Sequence, residues 1–471
     1  MKKSIKIYFK QKGGLFMKKQ FLLISMLLSA TVLFSGCSRS APFVSEAQEP
    51  PQSPQTPTPN HTSDMVAIPT TVSEDQNTVT NLTEKNNVGI CIDYAISSYA
   101  SIQNFSYQLF EKNQSVENPV LSPVSAYLAL SMAGFGADGN TREEFLKLLG
   151  EDMACVSDDL MNTLPKNTQN TKVSLANSAW IDNQFVTNQS WVGEIKSLMD
   201  AQAFQSNLSS TETMNSINDW IRSCTNGLID SMLSEPLASD TQLVLFNTLY
   251  FKAKWDSPFE KIATYTDHFT LANSEIVDVE MMHKSNEMLN YISNDFAEGL
   301  IFPYQSREES DGNLVFIALK PTTSDIDIRK VSSLLTKDVL SELLATKQST
   351  VVNTKIPKFE ITFEKDLNES LQSMGLQEAF DQTKANLGNL GTTPDNDNLY
   401  ISLVRQKAKV IVDENGTEAA AATEVAIMKC TALNPTGESI DVYFDEPFLY
   451  IIMDMDKEIP LFIGILDNPV V

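Results

Sequence analysis

DENGTEAAAATEVAIMKCTALN, residues 413–434, carries two conflicting structural instructions. Glu418 and the four alanines at 419–422 form helices well and strands poorly, which predicts a short surface helix capped by Thr417. The alternation of side chains instead predicts a half-buried strand, because both glutamates fall on one face and the other face is free of charge. The uncharged face holds Thr417, Ala419, Ala421, Thr423, Val425 and Ile427. Such a conflict between propensity and pattern is typical of a switchable element.

The residues just before this stretch supply a route into either conformation. VRQKAKVIVDE, residues 404–414, is rich in β-branched side chains and predicts a strand that runs directly into it. Gly416 at the junction can adopt dihedral angles that turn the chain away or let the strand continue. A surface helix and an inserting strand both remain open at this point.

The charge of the chain excludes two kinds of partner. Among 471 residues, the first 36 contain seven lysines and no acidic residue. This leaves 28 of the 35 basic side chains against all 60 acidic ones, a formal charge of −32. Because nucleic-acid binding usually requires a basic stripe, neither nucleic acid nor a heparin-like polyanion is expected as a partner.

The N-terminus predicts export. Residues 1–36 have the pattern of a signal peptide, with Lys18 and Lys19 before an apolar run too short to span a bilayer, and Met17 is an alternative start. The run ends in LFSGC, which resembles a bacterial lipobox, so Cys37 is expected to carry a lipid that contacts the membrane. An ordinary cleaved signal is the other interpretation. The lipid would hold the protein on the outer face of a bacterial membrane or at the cell surface, with later release left open.

The chain offers few residues for other chemistry. Five cysteines are spaced irregularly without a C-x-x-C pair, so neither a disulfide framework nor a zinc site is expected. The three histidines are isolated, and no metal or cofactor is predicted. A hydrolase is not expected either, because G-x-S-x-G is absent and only His268 and His283 lie in the globular part.

Two regions follow the signal peptide. Residues 37–88 predict a lipidated, disordered tether, because a segment rich in Pro, Ser, Thr, Gln and Asn buries too little apolar surface to offset the entropy of ordering. Residues 89–471 have globular patterning. Helical periodicity dominates their first half and β-branched strands their second, without a repeating strand-helix unit, which predicts an α+β fold around large, mainly antiparallel sheets.

Three segments give more specific predictions of secondary structure. Thr141-Arg-Glu-Glu is a capping box, which predicts a helix that begins there and ends at Gly150. Residues 216–233 have helical spacing interrupted by a glycine, and residues 349–363 predict one long strand.

A series of motifs makes the globular part similar to the serpins. In chain order they are NPVLSPVSAYLALSMAGFGADGNTREEFLKLLG (118–150), NTLYFKAKWDSPF (247–259), Met281-Met282-His283, IPKFEI (356–361), LQSMGLQEAF (371–380), DENGTEAAAAT (413–423), DEPFLYII (445–452) and FIGILDNP (462–469). The resemblance implies a single serpin domain with three β-sheets, eight to nine helices and an exposed reactive-centre loop at residues 417–434.

In serpins this loop is bait for a serine protease, so the resemblance implies an inhibitor and not an enzyme. The protease forms an acyl-enzyme at the bait bond, and the cut loop then inserts into the central sheet before water can release the protease. The implied product is an irreversible covalent complex with a monomeric inhibitor, and cysteine proteases are left open as further targets. A non-inhibitory serpin that acts as a binding or carrier protein is the alternative.

Individual residues are carried over from the family by position. The hinge of inhibitory members is matched by Glu414, Gly416, Thr417, Glu418, Ala419, Ala420, Ala421 and Ala422. The polar cluster beneath the opening of the central sheet, with the aromatic residue at the loop's entry point, is matched by Ser122, Ser125, Asn177, Gln406 and Trp255. Gln406 stands where many members have a histidine, so histidine-dependent pH control of sheet opening is not expected here.

The position of the bait bond is inferred from the usual serpin spacing. Fourteen residues after Gly416, the bond falls between Cys430 and Thr431. A shift of one residue gives Lys429–Cys430 instead, and Met428 is a third candidate. Cys430 would suit an elastase-like or subtilisin-like pocket, whereas Lys429 would suit a trypsin-like pocket with an acidic base.

Overall fold

Several helices begin where the sequence supplies a capping side chain. The computed structural model describes residues 66–67, 99–306, 313–393, 399–417 and 438–470. The α-helices in these residues are α1 (Ala100–Asn113), α2 (Pro123–Phe135), α3 (Gly139–Leu149), α4 (Met153–Thr163), α5 (Gln189–Met199), α6 (Thr211–Cys224), α7 (Ile328–Leu334), α8 (Lys337–Ala345) and α9 (Asn368–Ser373). Ser122 caps α2, with Pro123 at its first position. Asp138 caps α3, so the capping-box prediction at Thr141 is wrong about where that helix begins.

The strands of the described residues range from two to 18 residues in length. They are β1 (Val66–Ala67), β2 (Val120–Leu121), β3 (Lys166–Asn167), β4 (Thr171–Asp182), β5 (Val186–Thr187), β6 (Gln202–Ser206), β7 (Leu243–Lys254), β8 (Thr264–Thr270), β9 (Ile276–Ser293), β10 (Ala297–Pro303), β11 (Leu314–Pro321), β12 (Gln348–Pro357), β13 (Phe359–Asp366), β14 (Gly391–Thr392), β15 (Arg405–Val412), β16 (Gly416–Thr417), β17 (Ile440–Tyr443), β18 (Phe448–Asp454) and β19 (Ile459–Leu466).

These strands form three sheets. The central sheet has eight strands in the order β1-β6-β4-β7-β16-β15-β13, with β3 paired to β4. The second has nine strands in the order β17-β12-β9-β10-β11-β18-β19-β2, with β8 paired to β9, and β14 and β5 form the third. Among the described strand pairs, only β4–β6 and β12–β17 are parallel. The predicted α+β fold is confirmed, with three mainly antiparallel sheets and, in the described residues, nine α-helices.

The main core is built around elements that are covered on all sides. Every residue of β18 and β19 is buried, as are twelve of the thirteen residues of α2. Strands buried on both faces are expected to be nearly continuous apolar runs, as these two are. A smaller core lies between α6 and the central sheet, where Trp180, Ile217 and Phe246 pack together.

The predicted strand at residues 349–363 is two strands in two different sheets. β12 belongs to the nine-stranded sheet and ends at Pro357, and β13 begins in the central sheet at Phe359. Both halves are rich in β-branched residues, so strand periodicity continues through the point where the chain changes sheet. The single-strand prediction is therefore wrong.

The predicted helix at residues 216–233 is α6, with different ends. The Ser210 side chain accepts a hydrogen bond from the Thr213 backbone, so α6 begins earlier than the periodicity indicates. The helix stops at Cys224, and Gly227 just beyond it has φ +81°, a left-handed conformation that ends helical continuation.

The two cysteines in the described residues differ in state. Cys155 on α4 is disulfide-bonded, which the irregular spacing of the cysteines does not predict. Cys224 at the end of α6 is free.

In the described residues, no His, Cys, Asp and Glu side chains are grouped as a metal site. No helix among the described residues is both long and apolar enough to span a bilayer.

Candidate functional site

The entrance to the central sheet lies between β7 and β15. β16, which consists of Gly416 and Thr417, occupies a strand position between them. Gly416 pairs with Lys254, and Thr417 pairs with Ala253 on one side and with Val412 on the other. Residues 413–434 carry signals for both a helix and a strand. At Gly416 and Thr417 the segment is a strand.

Most residues of the expected bait loop lie outside the described residues. These are Glu418, Ala419, Ala420, Ala421 and Ala422 of the hinge, and Met428, Lys429, Cys430 and Thr431 around the candidate bait bonds. The expected export signal, the lipidation site Cys37 and all of the tether except Val66 and Ala67 also lie outside them. The structure describes the first residue of the loop, Thr417, and the chain again from residue 438, four residues beyond the loop.

A tight turn leads the chain from β15 into β16. The Asp413 carboxylate accepts hydrogen bonds from the backbone N–H groups of Asn415 (2.8 Å) and Gly416 (3.2 Å). Aspartate commonly stabilises turns through such bonds to its own backbone. Trp255 holds the turn from the end of β7, because its indole N–H donates to the Asp413 carbonyl (2.8 Å) and its backbone N–H to the Asn415 carbonyl (2.8 Å). The turn directs β16 into the sheet.

Aromatic side chains support β16 from the core. Trp255 stacks on Tyr304 with ring centroids 4.8 Å apart, and both residues are buried. The Tyr304 hydroxyl is hydrogen-bonded to the Thr417 hydroxyl. Burial raises the pKa of Tyr304, so its hydroxyl stays protonated and neutral. The Thr417 side chain, only 2% exposed, therefore faces the core through an uncharged contact.

Gly416 lies too close to β7 to carry a side chain. A Cβ atom built at this position would be 2.0 Å from the carbonyl oxygen of Ala253, which is part of the backbone and cannot rotate away. The glycine is therefore required by close approach of two strands.

Replacing Gly416 with alanine is expected to displace β16 from its place between the flanking strands. Overpacking of this kind costs about 1–3 kcal/mol, so the free energy of unfolding should fall by that amount. Denaturant unfolding measures it. Gly193→Ala is the matched control, because no atom lies within 4 Å of a Cβ at that position in α5. Equal effects of the two substitutions would contradict a specific steric requirement at the entrance.

Glu414 ties the turn to the body of the protein. Its carboxylate forms an ion pair with Lys358 (3.2 Å), and its backbone carbonyl accepts a hydrogen bond from the Phe259 N–H (2.9 Å). Burial alone would raise the pKa of Glu414, but hydrogen bonds and the charge of Lys358 together hold it below the ordinary value. The closed entrance therefore favours the ionised carboxylate.

The Lys358→Met variant tests this ion pair through its pH dependence. Because the pKa of Glu414 is lower in the folded protein, its stabilising contribution is complete above the ordinary pKa of 4.5 and is lost as the pH falls below it. We expect the variant to melt roughly 1 °C below the parent near neutral pH, and the difference to disappear in acid. Scanning calorimetry at several pH values measures this. A difference that stayed constant into acid would indicate lost packing of the lysine stem instead.

Ser122, Ser125 and Gln406 form a buried cluster between α2 and β15. The Gln406 side chain accepts a hydrogen bond from the Ser122 N–H (2.9 Å) and donates one to the Ser122 carbonyl (2.7 Å). The Ser122 hydroxyl in turn accepts from the Ser125 N–H (3.4 Å). The side-chain amide of Gln406 on β15 therefore both donates to and accepts from the backbone of Ser122, the residue that caps α2. No ionisable group takes part in this link.

Asn177 makes its hydrogen bonds elsewhere. Its side-chain N–H donates to the Met199 carbonyl (2.8 Å), and its side-chain oxygen accepts from Asn247 (2.7 Å). These bonds join β4 to the end of α5 and to β7. No hydrogen bond within the described part of the chain links Asn177 to the serine and glutamine cluster, so the structure joins three of the four polar residues assigned to it.

In the described residues, β7 and β15 are joined through β16 and form no strand pair with one another. Lys407 of β15 donates to the Ser231 carbonyl (2.9 Å), which lies in the segment after α6. This hydrogen bond links β15 to the segment that follows α6. A longer strand that continued from Gly416 and Thr417 would have β7 and β15 as its neighbours.

Sequence reasoning missed Tyr304, Lys358 and Lys407. Lys358 lies within the IPKFEI motif, and its charge at the boundary between two apolar strands was an available signal. Tyr304 and Lys407 carried no such signal, because their partners at Thr417 and Ser231 are far away in sequence.

Comparison with known proteins identifies the family. The family model described as Serpin (serine protease inhibitor) matches residues 100–469. Iripin-1 from Ixodes ricinus is 32% identical over 360 residues, which cover 74% of this chain and 88% of the relative. A serine protease inhibitor from Cyanea capillata is 31% identical over 389 residues, which cover 80% of this chain and 98% of the relative.

Solved structures agree with the sequence comparison. The crystal structure of the thermophilic serpin tengpin in the native state is 32% identical and superposes with a TM-score of 0.71, covering 78% of this chain and 93% of that chain. The same serpin in the latent state is 30% identical, with a TM-score of 0.67. The family model spans well over half of the chain, and the relatives match across most of their own length. This protein is therefore a member of the serpin family.

Proposed function

We propose that this protein is an irreversible suicide-substrate inhibitor of serine endopeptidases. The observation that carries the proposal is the position of β16, since Gly416 just before the bait loop and Thr417, its first residue, already form a strand between β7 and β15. A loop cut further along can extend this strand without having to find its register. Serpins are typically protease inhibitors, and the match to that family supports the proposal.

The proposed reaction begins as ordinary proteolysis. The serine hydroxyl of the protease attacks the carbonyl of the bait residue, the peptide bond breaks, and the amine of the following residue leaves with the proton. The bait carbonyl is then esterified to the protease. Insertion of the loop between β7 and β15 carries the protease away and distorts its active site before water can cleave the ester. Inhibition requires that insertion be faster than deacylation.

The uncharged face of the loop supports insertion. Thr417 faces the core, so in a continuous strand Ala419, Ala421 and Thr423 would face the same way. Small side chains need little rearrangement of the sheet as they enter. Further along, burial of Val425 and Ile427 would contribute about 1.5–3 kcal/mol each.

The target and the location of the inhibitor are also part of the proposal. A bait bond at Cys430–Thr431 favours an elastase-like or subtilisin-like protease, and one at Lys429–Cys430 favours a trypsin-like protease. The lipobox resemblance at Cys37 supports export and attachment through a lipid to the outer face of a bacterial membrane or to the cell surface.

A protease panel tests the proposed function. The mature chain is mixed with elastase, subtilisin and trypsin at several molar ratios, and products are separated by electrophoresis in hot detergent. An inhibitor gives a complex that survives this treatment, with a stoichiometry near one for the best target. Mass spectrometry of the released C-terminal peptide locates the bait bond. Cleaved chain without a complex, for every protease tested, would indicate the non-inhibitory binding or carrier role instead.

A further inference from the structure

The segment ahead of the folded domain pairs with one edge of the central sheet. β1 runs antiparallel to β6, with Val66 opposite Gln205 and Ala67 opposite Phe204. On its other side β6 pairs with β4, so β1 is the outermost strand on that side. The opposite edge of the sheet is β13.

The local sequence explains why this part of the segment pairs. Residues 65–68, Met-Val-Ala-Ile, are four consecutive apolar residues between Asp64 and Pro69. β-branched residues favour a strand, and proline lacks the N–H group that would continue the ladder. The surrounding residues are mainly Pro, Ser, Thr, Gln and Asn, which favour neither strand nor core. The residues observed to pair with β6 therefore lie within the apolar run that the sequence marks as able to form a strand.

β6 provides a well-ordered edge. Phe204 stacks on Trp180 of β4 with ring centroids 4.4 Å apart. The Gln205 side chain donates to the Phe185 carbonyl (2.9 Å), and Gln202 accepts from the indole N–H of Trp220 on α6 (2.8 Å). An edge strand held in place presents backbone N–H and C=O groups on which another chain can form a further strand. An uncovered β6 would thus be a site for pairing with a second copy.

We propose that Val66 and Ala67 are a docking strand that covers the β6 edge within the same molecule and prevents a second copy from pairing there. This proposal does not depend on protease inhibition. If Cys37 carries a lipid, docking also shortens the free tether, since residues 38–65 alone then separate the anchor from the sheet. A flexible chain of that length has an end-to-end distance of about 30 Å, against about 40 Å for residues 38–88.

Disulfide trapping tests the pairing and its register in the full chain. In the double variant Val66→Cys and Gln205→Cys the two thiols lie directly opposite, and we expect mild oxidation to link most molecules. Val66→Cys with Gln202→Cys is the control, because Gln202 is three residues out of register, and we expect at least ten times less linking. Mass spectrometry of the linked peptides separates these bonds from those of the native cysteines. Equal linking of both pairs, or linking of neither, would overturn the proposal.

Isotope labelling distinguishes pairing within one molecule from pairing between copies. Light and heavy copies of the Val66→Cys/Gln205→Cys variant are mixed before oxidation. We expect each linked peptide pair to be wholly light or wholly heavy. Mixed pairs would overturn docking within the same molecule and would indicate exchange of strands between copies.

Hydrogen exchange tests the protective role. The variant Val66→Pro/Ala67→Pro removes both backbone donors, and Thr70→Pro/Thr71→Pro is the matched control in the same tether. Successive N–H groups of a strand alternate between its two neighbours, so one of the amides of Phe204 and Gln205 faces β1 and the other faces β4. We expect the one that faces β1 to exchange at least ten times faster in the first variant, with β13 unchanged as the internal reference. Sedimentation of that variant should show self-association that the control lacks. Unchanged exchange at β6, or faster exchange with a strictly monomeric protein, would overturn the proposal.

Discussion

Thr417→Arg is expected to convert this protein from an inhibitor into a substrate. Thr417 is 2% exposed and lies between two strands, with its hydroxyl bonded to Tyr304. In the described residues the only side-chain hydrogen bond of Thr417 is to the uncharged Tyr304, so an arginine here is expected to leave the sheet in the uncut protein. Inserting the cut loop would then bring an unpaired charge into the core, at a cost of several kcal/mol. If about 3 kcal/mol of this cost raises the activation barrier of loop insertion, insertion becomes more than 100-fold slower. Hydrolysis of the acyl-enzyme is then faster than insertion, and the protease is released. The stoichiometry of inhibition should then rise at least tenfold.

Two conservative variants serve as controls for this prediction. Thr417→Ser keeps the hydroxyl, and Thr417→Val keeps the shape while removing the bond to Tyr304. Both remain uncharged, so we expect stable complexes from both, with stoichiometries within about twofold of the parent. The insertion mechanism would be contradicted if Thr417→Arg trapped the protease as efficiently as these two variants do.

Cleavage within the bait loop is expected to make the protein much more heat-resistant. The inserted strand would pair with β7 and β15 on both sides and would bury Val425 and Ile427. These two side chains alone would contribute about 3–6 kcal/mol. For a folded domain of about 370 residues, a gain of this size corresponds to a rise in Tm of about 4–8 °C, to which the added hydrogen bonds would contribute further. Calorimetry of intact and cleaved protein at the same concentration measures the difference.

The location of the cut provides the control for this measurement. Cleavage in the tether upstream of β1 leaves the bait loop intact, so it should change the Tm by less than about 2 °C. Cleaved Thr417→Arg should gain less heat resistance than the cleaved parent, because its strand must insert a charge. If cleavage in the bait loop left the Tm unchanged, the cut strand would not have entered the sheet.

The architecture of this protein was predictable because its local signals agree over long stretches. The strand predicted over residues 404–414 is β15, and the helix predicted to end at Gly150 is α3, which ends at Leu149. Boundaries were less predictable where the deciding contact is not periodic. α6 begins at a side-chain cap on Ser210, outside the apolar stripe, and β12 and β13 change sheets within an uninterrupted strand pattern.

The candidate site was predictable only in part. The conflict at residues 413–434 marked a segment that enters the central sheet at Gly416 and Thr417, and its predicted uncharged face beyond Thr417 lies outside the described residues. The contacts that hold the entrance closed were not predictable, since Tyr304 and Lys358 act on residues that lie more than 50 positions away in sequence. Asn177 was assigned by position alone, and its hydrogen bonds lie outside the cluster to which it was assigned.

The early pairing of Thr417 imposes a parity rule on the loop. Side chains alternate between the faces of a strand, so once Thr417 faces the core every second residue must follow it. Deleting one alanine from 419–422 would turn Glu424 inward, whereas deleting two would keep it in solvent. We expect the odd deletion to abolish trapping and the even deletion to retain it, as measured by stoichiometry. The length of this loop should therefore tolerate change in steps of two residues and resist change in steps of one.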